Sequence, residues 1–290
     1  MSSVAAGSLP GAGSAGTAGE LAALARLLGQ REVIELCVET FPGMPYIPAT
    51  PAFQYGLLRE HGDISLPEGI SASSDHVTMH LHTGTHIDAL CHYSRHGRLF
   101  GDVDAMAGQN KWRGHCAHGA ADIAPIIRRG VLLDVAAVLG LARVPAGTAI
   151  GPELLREAQD RAGVEVGRGD VVLVRTGEIQ LWPSQDYYSP ERGGVAGIDL
   201  AAAEWLSARD VHMVGSDNFC IEHIPKPAAG RKTSAMPVHG HLLADKGVYL
   251  LEVMNLEELA RREVGEFLFI AIPLKIRGAT GSPVRPVALV

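Results

Sequence analysis

Residues 76–97 read HVTMHLHTGTHIDALCHYSRHG. From 76 to 88 the even positions hold His76, Thr78, His80, His82, Gly84, His86 and Asp88, and the odd ones Val77, Met79, Leu81, Thr83, Thr85 and Ile87. A period of two is that of a β-strand, whose side chains alternate between faces. The expected strand places its odd residues in a core and presents an even face made of imidazole and carboxylate. Buried polar groups without partners cost about 1–3 kcal/mol each, so such a face has no rationale in stability. A metal site gives it one. On a straight strand His82 and His86 would stand ~13 Å apart, whereas ligands of one ion each lie about 2 Å from it. The backbone must therefore bend. Gly84, between two threonines, is the place, because glycine tolerates the turn and Thr-Gly-Thr is poor helix material. The expectation is a strand, a turn at Gly84, and a loop that folds His86 and Asp88 back toward His82. His92, four residues past Asp88, is near enough to share the pocket. Six of the 13 histidines fall between 76 and 96; His61, His96, His115, His118, His212 and His223 read as ordinary surface or core residues.

Working outward, residues 41–51 (FPGMPYIPATP) hold four prolines and a glycine and form an extended loop of the kind that walls a site. Beyond 130, strand and helix patterns alternate. VLLDVA (131–136), VVLVRTG (171–177), VHMVGSD (211–217), VYLLEVMNL (248–256) and FLFIAIPLKI (267–276) read as strands. Pro152 to Ala162, Asp199 to Ala208 and His241 to Lys246 read as helices, the second capped by Asp199 and the third ended by Gly247. The alternation predicts an α/β protein with layered sheet and helices. Residues 1–19 are rich in Gly, Ala and Ser and are expected to be a flexible tail; a helix is expected from Leu21 to Leu28, stopped at Gly29. A single domain over 20–290 follows, with no internal repeat.

Composition removes other classes. Lys and Arg number 25 against 32 Asp and Glu, a net charge of 25 − 32 = −7, which speaks against a nucleic-acid partner. The longest apolar runs, such as 267–272, fall far short of the ~20 residues that span a bilayer. Cys37, Cys91, Cys116 and Cys220 lack C-x-x-C spacing and read as reduced thiols. The expectation is a soluble cytoplasmic protein with no membrane partner.

The run His82-Thr83-Gly84-Thr85-His86-Ile87-Asp88-Ala89-Leu90-Cys91-His92 resembles the signature H-x-G-T-H-x-D-x-P-x-H of the metal-dependent cyclase/hydrolase family, which includes bacterial kynurenine formamidases and isatin hydrolases. Only the proline departs, replaced by Leu90. The Gly-Met-Pro loop at 43–45, Arg175-Thr176-Gly177, Gly215-Ser216-Asp217-Asn218, the segment 239–252 and Gly281-Ser282-Pro283 extend the likeness. The resemblance implies a swivelling β/β/α domain with a mixed sheet and flanking helices, one or two divalent ions (Zn2+ or Mn2+), and a homodimer or homotetramer. It implies His82, His86 and Asp88 as ligands of a first ion, Asp88 as a bridge, and His92 as the proton carrier. His239 and Glu252 take the places of the second histidine and the bridging glutamate, with His241 a competitor for His239.

The chemistry that follows is hydrolysis. A divalent ion with open positions activates water near neutral pH and polarises a carbonyl; a histidine suits the proton transfer. Glu252, in the apolar run 248–254, is rarely left without a partner. Phe41, Tyr46 and Phe53, in or beside the proline loop, are candidates to stack on a planar substrate. Family formamidases resemble one another in a loop tryptophan where this chain has Ile47, so a lactam or isatin-like ring joins a formamide as the expected small-molecule substrate. Arg175 suits either a substrate carboxylate or an acidic partner, and Asp217 either a functional loop or a cap. The leading reading is an amidohydrolase acting on C–N bonds; a lactone hydrolase or polyketide-type cyclase on the same centre, and a non-catalytic metal-binding protein, are the alternatives.

Overall fold

The strand over Val171–Arg175 is buried at all five positions. Val172 and Val174 enter one apolar cluster and Val171 and Leu173 another. Adjacent strands divide in the same way: Leu133 and Val214 join the first cluster, Leu132 and Met213 the second. A sheet with a core on each face requires strands apolar throughout, which is why these segments read as unbroken hydrophobic runs. In the computed structural model, which describes residues 28–29, 31–189, 193–226 and 236–290, the longer strands are β1 (Val33–Glu35), β2 (Gln54–Arg59), β3 (Ser74–Thr78), β4 (His86–Asp88), β5 (Ile126–Asp134), β6 (Val171–Arg175), β7 (Met213–Ser216), β8 (Tyr249–Glu252), β9 (Glu266–Ala271), β10 (Gly281–Pro283) and β11 (Val287–Leu289). Nine of them form one mixed sheet in the order β1-β11-β9-β5-β6-β7-β8-β4-β10. Strands β5 to β8 are mutually parallel. β9 closes antiparallel on β5, and β4 pairs antiparallel with both β8 and β10.

Helices α1 (Val135–Val138), α2 (Pro152–Ala162), α3 (Leu200–Ser207), α4 (Pro237–His239) and α5 (Glu257–Arg261) cover the sheet. Leu155 of α2, Leu206 of α3 and Val238 of α4 pack into the first cluster, and Leu259 of α5 into the second. Asp199 caps α3 as expected, its Oδ1 accepting from the Ala202 N–H at 2.8 Å. The fold is thus α/β, a mixed sheet with flanking helices. No helix among the described residues is long and apolar enough to cross a membrane, and all four cysteines are free thiols.

Four local expectations are corrected. The strand VLLDVA ends at Asp134, whose Oδ1 accepts from the Ala137 N–H at 2.9 Å and starts α1. The helix expected from His241 begins earlier, at Pro237, and passes into a π-helical turn over Gly240–Asp245. The strand expected up to the turn at Gly84 stops at Thr78, and His86–Asp88, expected in a loop, is the strand β4. The odd face of the expected strand does not enter the chain's own core over β3, where Val77 is 57% exposed, because β2 and β3 form a two-stranded ribbon apart from the main sheet. The tail over 1–19 and the helix to Leu28 lie outside the described residues, save Leu28 and Gly29, which are helical.

Candidate metal centre

The bend that the ligand spacing demands is at Gly84, whose φ of +67° lies in the left-handed region. It brings the rings of His82 and His86 to 5.1 Å between centroids. His86 then enters β4, where register sets Glu252 of β8 opposite it. Glu252 ends β8 at the carboxyl edge of the parallel strands, where open α/β sheets place their sites. His239, the last residue of α4, reaches Glu252 there, its Nε2 3.3 Å from Oε1.

Two groups of three ligand-type residues result: His82, His86 and Asp88, and Asp88, His239 and Glu252, the potential ligand atoms of each lying within 4.8 Å of one another. All five residues are buried. Asp88 belongs to both groups. Its Oδ1 lies 2.7 Å from His82 Nδ1 and 3.6 Å from His86 Nε2, while Oδ2 faces His92 Nε2 and His239 Nε2, each at 3.9 Å. His86 Nδ1 donates to the Gly84 carbonyl at 2.8 Å, because a carbonyl can only accept. The opposite nitrogen, Nε2, is turned inward. His239 is held at both nitrogens, Nδ1 lying 2.8 Å from Glu222 Oε2 and Nε2 3.3 Å from Glu252 Oε1.

Three buried atoms, His86 Nε2, Asp88 Oδ2 and Glu252 Oε1, have no hydrogen-bond partner. Orphans of this kind are rare in folded proteins, and these three belong to the two ligand groups that share Asp88. Imidazole nitrogens facing carboxylate oxygens across about 3–4 Å in a buried setting call for positive charge among them. A divalent cation meets that need and suits a donor set of imidazole and carboxylate. The residues present fit a metal.

The electrostatics agree. Burial opposes the ionisation of Asp88, but the rings of His92, His82 and His86 hold its carboxyl well below the ordinary range. Burial and the Asp88 charge both oppose Glu252, yet His239 and His86 keep it lowered. Burial would lower His239; Glu222, Glu252 and Asp88 override it and raise the ring to about 10. His92 differs, because burial is the stronger influence there and pushes it down to about 4. Its ring stacks on His82 at 4.0 Å and stays 28% exposed beside the ligand groups.

The structure places the residues of the open alternatives as follows. His239 is in the second ligand group and His241 is not: His241 Nε2 pairs with Ser207 Oγ at 2.8 Å. Arg175 pairs with Asp134 and Glu257, at 2.9 and 2.8 Å, and is no free carboxylate anchor. Asp217 accepts from Thr176 N–H, Thr176 Oγ1 and Gly177 N–H at 2.6–2.7 Å, which pins two strand ends together. Ile47 packs against an aromatic cluster of Trp182, Tyr187, Tyr188 and Phe219 that includes Val253, the residue after Glu252. Phe41 and Tyr46 are half-buried in the same loop, Phe41 N–H donating to Met44 Sδ at 3.4 Å, and Phe53 is buried. Sequence reasoning missed the aromatic cluster and Glu222, which is 1% exposed and contacts His239. The signal for Glu222 was present: an acid in the apolar run FCIEHI.

Comparison with known proteins follows the same line. The family model described as "Putative cyclase" matches residues 34–223. The kynurenine formamidase of Bordetella petrii is 27% identical over 84% of this chain and 93% of its own. A crystal structure of a novel cyclase superposes with a TM-score of 0.81 at 27% identity, covering 94% of this chain and 92% of that one. Isatin hydrolase A from Ralstonia solanacearum shares the fold, with a TM-score of 0.71 at 24% identity over 97% of this chain and all of its own. With most of its sheet and all of the first ligand group inside the matched segment, the chain belongs to the Cyclase family.

Proposed function

We propose that this chain is a metal-dependent hydrolase that cleaves a C–N bond in a small amide or cyclic amide, with Zn2+ or Mn2+ held by His82, His86 and Asp88 and by Asp88, His239 and Glu252. The observation that carries this reading is that three orphaned buried atoms, of His86, Asp88 and Glu252, belong to two ligand groups joined at Asp88, beside the His92 ring. A divalent ion bound there supplies Lewis acidity toward a carbonyl oxygen and toward water. Asp88 and Glu252 fix the anionic side of the pocket, and their burial excludes bulk water from it. His92 Nε2 takes a proton from the attacking water and returns it to the departing nitrogen, a task for an imidazole at the pocket mouth. The apolar cluster of Ile47, Trp182, Tyr188 and Phe219 is the proposed wall for a planar substrate, with Phe41 and Tyr46 on the same loop as Ile47. Relatives named kynurenine formamidase and isatin hydrolase support both an open-chain formamide and an isatin-like ring as substrates.

The test is a hydrolysis panel on metal-analysed protein, with N-formylkynurenine, isatin, a bicyclic γ-lactam, an enol lactone and an aryl ester, each with and without chelator. Chelator-sensitive turnover of an amide or imide ring is expected. Turnover confined to the lactone or ester would replace amide hydrolysis by the lactonase reading, and bound metal without any turnover would favour a cyclase reaction or a non-catalytic role.

The chain works, on this reading, as one domain over 20–290 in a homodimer or homotetramer in the cytoplasm. The free thiols support the compartment. The β2/β3 ribbon supports the assembly: Tyr55, Leu57 and Val77 share one face and are 47%, 48% and 57% exposed. A two-stranded ribbon is marginal alone in water, so its cover must be constant. A second copy offers the same self-complementary face. Leu57→Glu should shift the mass in light scattering toward the monomer; an unchanged mass would move the interface elsewhere.

A further inference from the structure

Glu222 belongs to neither ligand group, yet among the described residues the polar contacts of its carboxylate lead to α4. One oxygen, Oε1, accepts from the Val238 N–H at 2.9 Å; Oε2 accepts from the His239 N–H at 3.4 Å and from His239 Nδ1 at 2.8 Å. Among the described residues its ion-pair partner is His239. A carboxylate so buried needs hydrogen-bond partners, and α4 supplies them.

The backbone that presents it is costly. Ile221, one residue earlier, has a φ of +54°, a conformation that β-branched residues avoid. Asn218 enforces it: Oδ1 accepts from the Ile221 N–H at 2.5 Å and from the Cys220 N–H at 3.3 Å, and Nδ2 donates to the Ala196 carbonyl at 2.7 Å. The loop is over-determined, and its product is the aim of one side chain at one imidazole.

The two inward histidines are consequently held by different partners. His86 gives its Nδ1 proton to a neutral carbonyl, that of Gly84; His239 gives its own to a carboxylate. A carboxylate partner fixes the tautomer and ring plane and makes the far nitrogen a stronger donor. We propose that Glu222 is a positioning residue for the second ligand group, which sets the affinity of the Asp88–His239–Glu252 position for its ion without acting on the His82–His86–Asp88 position. This rests on the reading of the centre as a metal site.

The experiment is a titration of the chelator-stripped full chain with Mn2+ alone, followed by equilibrium dialysis and metal analysis, for wild type, Glu222→Gln and His239→Ala. Wild type should take up two ions. Glu222→Gln should hold the first with unchanged affinity and the second about 10–100-fold more weakly, with excess Mn2+ refilling it; His239→Ala should not refill. Two ions held by Glu222→Gln at wild-type affinity, or an equal weakening of both, would overturn the proposal while leaving the metal site intact. No uptake by wild type would overturn the metal reading and this proposal with it. Should Glu222→Gln fail to fold, nitrogen-15 spectra of the Zn2+-loaded wild type decide: a proton on His239 Nδ1 is expected, and a bare Nδ1 excludes the role.

Discussion

His86 and Glu252 are direct partners across the antiparallel pairing of β4 and β8, and His86 Nε2 lies 3.3 Å from Glu252 Oε2. Sheet register, which a one-residue slip would invert, therefore sets the distance between the two ligand groups. Glu252→Gln keeps the volume and removes the charge. The expected outcome is a folded chain with less metal after dialysis and turnover reduced by roughly 10²-fold or more, read by metal analysis and kcat on the same preparation.

His92 stands apart from both ligand groups. His92→Ala should retain the wild-type metal content while kcat falls by about 10²–10⁴-fold, the usual share of a general acid–base residue. Loss of metal in step with activity would make His92 a ligand instead, and unchanged activity would leave the pocket without a proton carrier.

Gly281 of β10 lies against the first ligand group. A Cβ there would sit 2.7 Å from His82 Cε1 and 2.9 Å from the Ile87 carbonyl oxygen, both too close to stand. Gly281→Ala should push His82 aside and destabilise the chain by about 1–3 kcal/mol. Thermal unfolding with and without Mn2+ checks it: the variant should gain less stability from the ion than wild type does.

His212 carries the clearest acid sensitivity away from the centre. Burial, with Arg128 adding to it, lowers the ring from 6.5 to about 4, and the ring packs edge-on to Tyr249. The folded pKa lies below the unfolded one, so between these values the unfolded chain binds more protons. Stability is full above the unfolded value and declines as pH falls toward the folded one. His212→Gln should flatten that limb, sparing on the order of 2 kcal/mol of the wild-type loss at pH 4, as read from urea midpoints at pH 7 and pH 4.

How much of this was legible in the sequence depended on whether a residue's surroundings were local. Val171 to Val174 announce a doubly covered strand because either face alone would suffice to bury them. The first ligand group was legible because three residues within seven positions, with Gly84 among them, leave few geometries. Across β3 the same alternation misled: period two says that a face is apolar, not that the chain's own core will cover it, and Val77 faces outward. Arg175 offered no hint of its partners, since Asp134 and Glu257 are 41 and 82 residues away. Glu222 was passed over although the argument that marked Glu252, an acid in an apolar run, applied to it equally.

The centre and the wall around it stand on different kinds of backbone. His86, Asp88 and Glu252 are strand residues inside a sheet, β4 being paired on both edges. Ile47, Trp182 and Phe219 lie in loops, and Tyr188 in a short 3-10 turn. For protein engineering this makes the chain a scaffold with a fixed reactive core and exchangeable rims: segments such as 41–51 and 181–189 can be swapped to admit a new ring or chain while the register that spaces the ligands is left alone.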